Sequence, residues 1–241
     1  GMGITGTDVS KQASDMVLTD DNFATIVSAV KEGRRIYDNI HKTVRFLLSS
    51  NIGEVIAILV STIAGWHLLS PVHILWINLV TDTFPAIALG LEPAEPDVME
   101  RKPVDKRDSF LKVKDWRRMF EVGLAEASLA LLAYLIGGKG VSGTTMAFFT
   151  LSLSQLFAAI GFQSERHSIL KLKAANHPVL WGAILVSALL QFVVMFVPAL
   201  RGLFELAILN PTQWLTVFAL CISMLIIIEL QKLVARLRLK E

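Results

Sequence analysis

Residues 46–91 read FLLSSNIGEVIAILVSTIAGWHLLSPVHILWINLVTDTFPAIALGL, and the only charged residues in this stretch are Glu54 and Asp82. It contains no Lys or Arg, and Pro71 divides it into two apolar segments. Each segment is about long enough to cross a bilayer as a helix, at roughly 20 residues per span. Further apolar runs lie near Met119–Ile136, Thr144–Phe162, Val179–Leu200 and Pro211–Leu230. The reading is an all-α membrane protein with six transmembrane helices, at about 42–65, 71–91, 116–137, 144–163, 178–200 and 211–233. The fourth of these is short and carries several Ser and Thr.

Composition agrees with that reading. The 241 residues are 53% hydrophobic and 18% charged, and the mean hydropathy is +0.55. Soluble domains carry roughly 25% charged residues. These values exclude a disordered chain, a fibrous repeat and a disulfide scaffold, and they argue against an ordinary soluble enzyme. The single Cys221 lies in an apolar run and reads as a small buried hydrophobe.

The net charge of +2 conceals a segregation. Residues 1–45, 92–118, 164–177 and 232–241 hold 21 of the 23 Lys and Arg. The alternate connections hold only Lys139 and Arg201. Basic residues near span ends stay on the cytoplasmic side. Both termini are therefore predicted cytoplasmic, in an integral multi-pass protein whose non-protein surroundings are a lipid bilayer. No nucleic acid partner is indicated.

Residues 1–40 differ in composition and read as the end of a cytoplasmic domain with a stalk helix, with the transmembrane domain at 41–241. Met16-Val17-Leu18 is a short apolar run between acids and predicts a buried strand. From Phe23 the spacing of Ile26, Val27, Val30, Ile36 and Ile40 is helical, with Asp21 or Asn22 as cap. No proline interrupts Phe23 through Ser70, so one long helix is expected to run from the cytoplasm into the first span. A lead-in of this size cannot bury a core alone, since folding below about 40 residues needs help. The opening Gly1-Met2-Gly3-Ile4 reads as the middle of a longer chain.

Polar groups at bilayer depth carry the functional reading, because they are expensive there. Asn51 and Glu54 are three apart and share a helix face. Asn78, Thr81 and Asp82 stand at i, i+3 and i+4, again one face. Pro85 lacks an N–H and crowds the Thr81 carbonyl, so the helix is predicted to unwind around Thr81–Phe84 and to free carbonyl oxygens. All these donors are oxygens. That set suits a hard cation such as Ca²⁺, which takes roughly six to eight of them. Gln155 in the fourth span is either a sixth ligand or a helix–helix hydrogen bond. Asn51 alone would serve equally as interhelical glue, and Thr81 as a back-bond to its own helix. Glu121, Glu126 and Glu229 lie nearer span ends and read as interfacially solvated, as do His67 and His73.

Several stretches resemble one family. Gly6-Thr7-Asp8-Val9, Ala13-Ser14-Asp15-Met16-Val17-Leu18 and Asp20-Asp21-Asn22-Phe23 are similar to the last part of the phosphorylation domain of P-type cation pumps. Ser50-Asn51-Ile52-Gly53-Glu54-Val55 and Trp76-Ile77-Asn78-Leu79-Val80-Thr81-Asp82 resemble the fifth and sixth membrane helices of the Ca²⁺-transporting subgroup, and Leu89-Gly90-Leu91-Glu92-Pro93 is similar to the exit of the sixth. The likeness covers the whole chain and is most specific through Asp108. It points to the sarco/endoplasmic-reticulum-like or plasma-membrane-like calcium pumps, of bacterial type.

The resemblance implies helices five to ten of such a pump, preceded by the end of an α/β HAD-like phosphorylation domain. It implies ATP-driven Ca²⁺ transport by a full-length protein in which Mg²⁺ and ATP act on other parts. The Asp-Lys-Thr-Gly phosphorylation motif and the Thr-Gly-Glu-Ser loop do not occur in these residues. The expected partners are Ca²⁺, the bilayer and an N-terminal part of the same polypeptide, and the membrane is the plasma membrane if the source is bacterial. Asn51, Glu54, Asn78, Thr81 and Asp82 are the implied metal ligands. Gln155 stands where two-ion members carry Glu, which leaves one or two ions per cycle. No catalytic or cofactor-binding residue is assigned to the fragment, which is expected to be inactive alone. The alternatives are a pump of the same fold for Na⁺ or Mn²⁺, a stand-alone six-span channel or carrier, and a membrane scaffold.

Overall fold

A computed structural model describes residues 1–104, 109–164 and 176–238. The elements in chain order are α1 (Asp8–Ala13), α2 (Ala24–Ile63), α3 (Pro71–Trp76), a π-helical turn (Ile77–Asp82), α4 (Thr83–Gly90), α5 (Val113–Ile136), α6 (Val141–Phe162), α7 (Pro178–Phe196), α8 (Pro198–Leu203) and α9 (Pro211–Arg238). Helix α2, the unit from Pro71 to Gly90, α5, α6, α7 and α9 through Val234 are long and apolar enough to cross a membrane. The all-α reading with six spans therefore holds.

Helix α2 runs for 40 residues without interruption. At 1.5 Å per residue that is about 60 Å, roughly twice the hydrocarbon thickness. Its N-cap is Phe23, with no side-chain cap, instead of the expected Asp21 or Asn22; Asn22 Oδ1 accepts the Ala24 N–H at 2.9 Å just ahead of it. Gly65, at φ 68°, follows its far end, where a residue with a Cβ would be strained.

The apolar run at Met16-Val17-Leu18 does not form a strand. Among the described residues it makes a single parallel bridge, Met2 with Leu18. Leu18 is buried, whereas Met16 and Val17 stay exposed. A strand needs a neighbour along its length, and none is described here. What organises the lead-in is Asp21, in the left-handed region at φ 51°. Its carboxylate accepts the Ile4 and Thr5 N–H groups at 2.8 and 2.7 Å and the Thr5 hydroxyl at 2.6 Å. Those bonds, the Thr5 hydroxyl first, lower its pKa to about 2.

Helix α6 occupies the centre of the bundle. Of its most apolar window 94% is buried, against 28% for α7 and for α9. It packs on α5, α9 and α7, and Phe148, Phe149, Leu151 and Leu156 anchor the core around it. Its Ser and Thr have a use in this position. Thr145, Ser152 and Ser154 donate back to carbonyls of their own helix at 2.8 Å, so these small polar residues pack closely with their hydroxyls satisfied, while the buried Thr150 hydroxyl closes no hydrogen bond. On the outer helices, Leu75, Leu79, Leu185, Leu189 and Ile226 point outward, as a lipid-facing surface requires.

One end of the bundle is tied by charge. Lys42 Nζ lies 2.9 Å from Glu95 Oε1, Arg101 pairs with Asp38, Glu95 and Asp97, and Arg45 faces Asp115 at 3.6 Å. Helix α2 also holds the end of α4 through the backbone. Asn39 Nδ2 donates to the Glu92 carbonyl at 2.7 Å, and Arg35 Nη1 donates to the same carbonyl at 3.0 Å. Arg34 Nη1 takes the carbonyls of Val98 and Arg101 at 2.9 and 2.7 Å. Carbonyls that have run out of helix are thus met by guanidinium and amide donors from the neighbour.

Candidate functional site

The helix predicted to unwind around Thr81–Phe84 widens instead. Between Ile77 and Asp82 the backbone is π-helical, and both Asp82 and Thr83 keep right-handed dihedrals. A π turn with Pro85 just beyond it deprives several carbonyls of their usual N–H partners. Two of them are met by hydroxyls. The Thr83 hydroxyl donates to the Asn78 carbonyl at 2.8 Å, and the Ser187 hydroxyl of α7 donates to the Val80 carbonyl at 2.9 Å. A continuous helix can hold a widened turn because neighbours supply these donors, which local sequence reading could not show.

Three helices meet at this turn. Glu54 of α2 is 3% exposed. Its Oε2 accepts from Asn78 Nδ2 at 3.0 Å, and its Oε1 from Gln155 Nε2 of α6 at 3.2 Å. The Thr81 hydroxyl lies 2.9 Å from Gln155 Oε1 and 3.0 Å from the Ile77 carbonyl, and its one proton is shared between them. Gln155 therefore ties α2 to the π turn through both ends of its carboxamide. Asp82 is 2% exposed, and neither of its carboxylate oxygens has a hydrogen-bond partner. Ser50 lies beside it, but its hydroxyl also closes no hydrogen bond.

Of the six sequence candidates, Glu54, Asn78, Thr81 and Gln155 form one hydrogen-bonded network, and Asp82 lies on the same turn. Asn51 does not join them. It is on the exposed side of α2, and its Nδ2 donates back to the Leu47 carbonyl at 2.7 Å. A spacing of three residues puts Asn51 and Glu54 on neighbouring faces, and the packing of α2 buries only the second.

Two residues read as interfacial are buried. His73 is 1% exposed, with Nε2 donating to the Phe204 carbonyl at 2.7 Å and Nδ1 accepting the Ser70 N–H at 3.2 Å. Its ring stacks on Phe148 at 4.7 Å. Glu126 is 0% exposed, and neither carboxylate oxygen has a partner. Glu121, in contrast, is exposed as expected. The signal for Glu126 was present in Gly123 one turn earlier, a small residue that permits close approach of another helix. A Cβ on Gly123 would stand 2.7 Å from the Ser49 carbonyl oxygen and 2.8 Å from the Gly53 nitrogen. Helices α2 and α5 cross there backbone to backbone.

Among the described residues, no three His, Cys, Asp or Glu side chains gather closely enough to hold a metal by themselves. The chemistry on offer is different in kind. It consists of separated carboxylates with amide, hydroxyl and carbonyl oxygens between them, which fits a hard, flexibly coordinated cation. A soft metal would need Cys or clustered His.

Outside the spans, Glu92 is 2% exposed and pairs with His177 at the start of α7. Burial raises its carboxyl pKa, against the opposing pull of His177 and Lys42. For Glu95 burial acts in the same direction, but Lys42 and Arg101 outweigh it and hold the carboxyl below its ordinary range.

Residues 66–234 match the family described as cation transporting ATPase, C-terminus. The chain is similar to "Calcium-transporting ATPase 1" of Bacillus cereus, 39% identical over 96% of this chain and 28% of the relative. It is similar to "Calcium-transporting ATPase" of Bacillus subtilis, 42% identical over 91% of this chain and 25% of the relative. A protein of the same name from Plasmodium falciparum is 34% identical over 100% of this chain and 24% of its own length. The chain thus spans about a quarter of the length of these curated relatives.

Proposed function

The chain belongs to the cation-transporting ATPase C-terminal family, and from that premise we propose that it is the ion-binding membrane part of a longer ATP-driven Ca²⁺ pump. The observation that carries this reading is the pairing of a partnered and an unpartnered buried acid. Glu54 is held by the Asn78 and Gln155 amides, while neither oxygen of Asp82, at the end of the π turn, accepts a hydrogen bond. A buried carboxylate left so is costly unless a cation visits it. Glu54, Asn78, Thr81, Asp82 and Gln155 would supply oxygens to that ion, and Asn51 from the open side of α2.

In this reading Mg²⁺ and ATP are handled by the rest of the polypeptide, and residues 1–40 close its phosphorylation domain. Helix α2 is the mechanical link. It is one rigid element that leaves the lead-in, carries the charged tie at Lys42 and Arg45, and ends beyond Glu54. A tilt imposed at its outer end moves Glu54 relative to Asn78 and Gln155, which changes the cation's oxygen shell without any chemistry inside the membrane. The positive-inside bias sets both ends of the chain in the cytoplasm, and in a bacterium the membrane is the plasma membrane.

The test uses the full-length polypeptide in sealed vesicles. Ca²⁺ between micromolar and millimolar is expected to stimulate phosphoenzyme formation and ATP-dependent ⁴⁵Ca²⁺ uptake, and Asp82→Asn is expected to abolish both. Stimulation by Na⁺ or Mn²⁺ with no response to Ca²⁺ would reassign the ion. Transport without any phosphoenzyme would overturn the pump reading in favour of a carrier.

A further inference from the structure

The first turns of α5 lie beside the last turns of α9, at the end of the bundle that carries the charged tie. A groove of about 450 Å³ runs between them. Its α5 wall is Lys114, Arg117, Arg118 and Glu121, at i, i+3, i+4 and i+7 of one helix face. Its α9 wall includes Ile227, Leu230 and Gln231, at i, i+3 and i+4. Glu121 is already engaged, with Arg117 Nε 3.3 Å from its Oε1 and Gln231 Nε2 3.5 Å from its Oε2. Asp115, on the buried side of α5, faces Arg45 at 3.6 Å and accepts the Lys112 N–H at 2.9 Å. Among the described residues the side chains of Lys114 and Arg118 close no hydrogen bond or ion pair, and Arg118 is half-buried. Gln231 Oε1 is shut off from solvent and accepts no hydrogen bond. A guanidinium and an amide oxygen partly withdrawn from water without partners are costly unless something meets them.

The groove also lies at a defined depth. Lys114 to Glu121 open one membrane-crossing helix, and Ile227 to Gln231 close another. Trp116, 50% exposed on the same turns of α5, marks the boundary between hydrocarbon and water. Basic pockets between membrane helices at that boundary take anionic lipid headgroups. We propose that the α5–α9 groove binds one anionic glycerophospholipid. Its phosphate sits on Arg118 and Lys114, a headgroup hydroxyl donates to Gln231 Oε1, and an acyl chain follows Ile227 and Leu230. Three cations against one acid line the groove, which selects an anionic over a zwitterionic headgroup. The apolar α9 wall selects a lipid over a soluble phosphate, which would leave Leu230 uncovered. The bound lipid joins α5 to α9 where no ion pair does so among the described residues. This inference goes beyond ion transport and rests only on the bundle standing in a bilayer.

The experiment titrates the delipidated full-length polypeptide in detergent with phosphatidylglycerol or phosphatidylcholine. It reads retained lipid by native mass spectrometry and the lipid-induced rise in thermal midpoint. Wild type is expected to retain phosphatidylglycerol in preference to phosphatidylcholine. Arg118→Gln and Lys114→Gln are each expected to weaken phosphatidylglycerol binding about fivefold, and the double variant about twentyfold. Leu230→Trp fills the apolar wall with every charge kept and is expected to weaken it as well. Arg201→Gln, on the connection at the other end of the bundle, is expected to bind as wild type does. Without lipid, Arg118→Gln is expected to melt with wild type, because the guanidinium has no described protein partner to lose. Equal retention of the two lipids by wild type overturns the proposal. So does an equal loss in Arg201→Gln, which would make the effect one of net charge. Stabilisation by inorganic phosphate equal to that by phosphatidylglycerol overturns the lipid as occupant. Unchanged binding in both the double variant and Leu230→Trp places the lipid elsewhere and overturns the site. None of these readouts depends on Ca²⁺ or ATP, so the pump reading and this one stand or fall separately.

Discussion

Gln155 Nε2 donates to Glu54 Oε1 across 3.2 Å, although 101 residues separate them in the chain. The same carboxamide accepts from Thr81 at 2.9 Å. One neutral side chain therefore sets the distance between the acid of α2 and the π turn. Gln155→Ala leaves Glu54 with one amide partner fewer and frees Thr81 to its own helix. The expected cost is about 1–3 kcal/mol of stability, read as a lower thermal midpoint in detergent. Ca²⁺ affinity should fall less than in Asp82→Asn, since no charge is removed. An unchanged midpoint would show that the bridge carries no weight.

Ser187→Ala tests the widened turn. The Ser187 hydroxyl is the donor that α7 lends to the Val80 carbonyl at 2.9 Å, and Ser187 is fully buried. Without it a buried carbonyl lacks that partner, at a cost of about 1–3 kcal/mol. Hydrogen exchange of the amides at residues 78–84 should quicken while those of α6 do not. Equal protection in wild type and variant would remove α7 from the account of the turn.

Glycines along these helices should respond in opposite directions. A Cβ at Gly123 meets backbone atoms of α2 at 2.7 and 2.8 Å, and backbone cannot swing aside. Gly123→Ala is expected to destabilise by about 1–3 kcal/mol through overpacking. Gly33 lies in α2 with nothing within 4 Å of an added Cβ. Gly33→Ala is expected to stabilise by about 1 kcal/mol from helix propensity alone. Thermal midpoints of the two variants moving the same way would contradict the crossing geometry.

The charged tie around Lys42 has a defined pH response. The Glu95 carboxyl is held below its ordinary 4.5 by Lys42 and Arg101, which outweigh burial. Its contribution is therefore present above pH 4.5 and is lost as pH falls through the lower folded value. Glu92 runs the other way. Burial raises its carboxyl above 4.5, so its contribution is full below that value and declines as pH rises through the folded one. Acidification below pH 4.5 should accordingly release the segment at 92–104 from α2 through Glu95, with Glu92 opposing. The hydrogen-exchange protection factors there, corrected for the intrinsic rate at each pH, should fall in wild type, and Glu95→Gln should be weakly protected at every pH. A segment equally protected at pH 3 and pH 7, as probes on either side of 4.5, would show that the pairs do not hold it.

Much of this architecture was legible before any coordinates. The six spans and the face shared by Asn78, Thr81 and Asp82 follow from hydropathy and the helical period. Both are properties of consecutive residues, and the bilayer forces backbone groups to pair within each segment. The acids Glu54 and Asp82 stood out because no other charge shares their stretch. The long stalk helix was visible in the absence of proline from Phe23 to Ser70.

Tertiary packing decided the rest. Whether Asn51 or Glu54 turned inward depended on where α5 lies against α2, and that crossing is set by Gly53 and Gly123, 70 positions apart. The same crossing buried Glu126, which position along its span alone assigned to the interface. The π turn survived unbroken because Ser187 of α7 satisfied a carbonyl of a helix 107 residues away. Hydropathy and period report what one segment prefers by itself. Burial, hydrogen-bond partners and the grouping of the acids depend on which helices become neighbours, and that is a property of the assembled bundle.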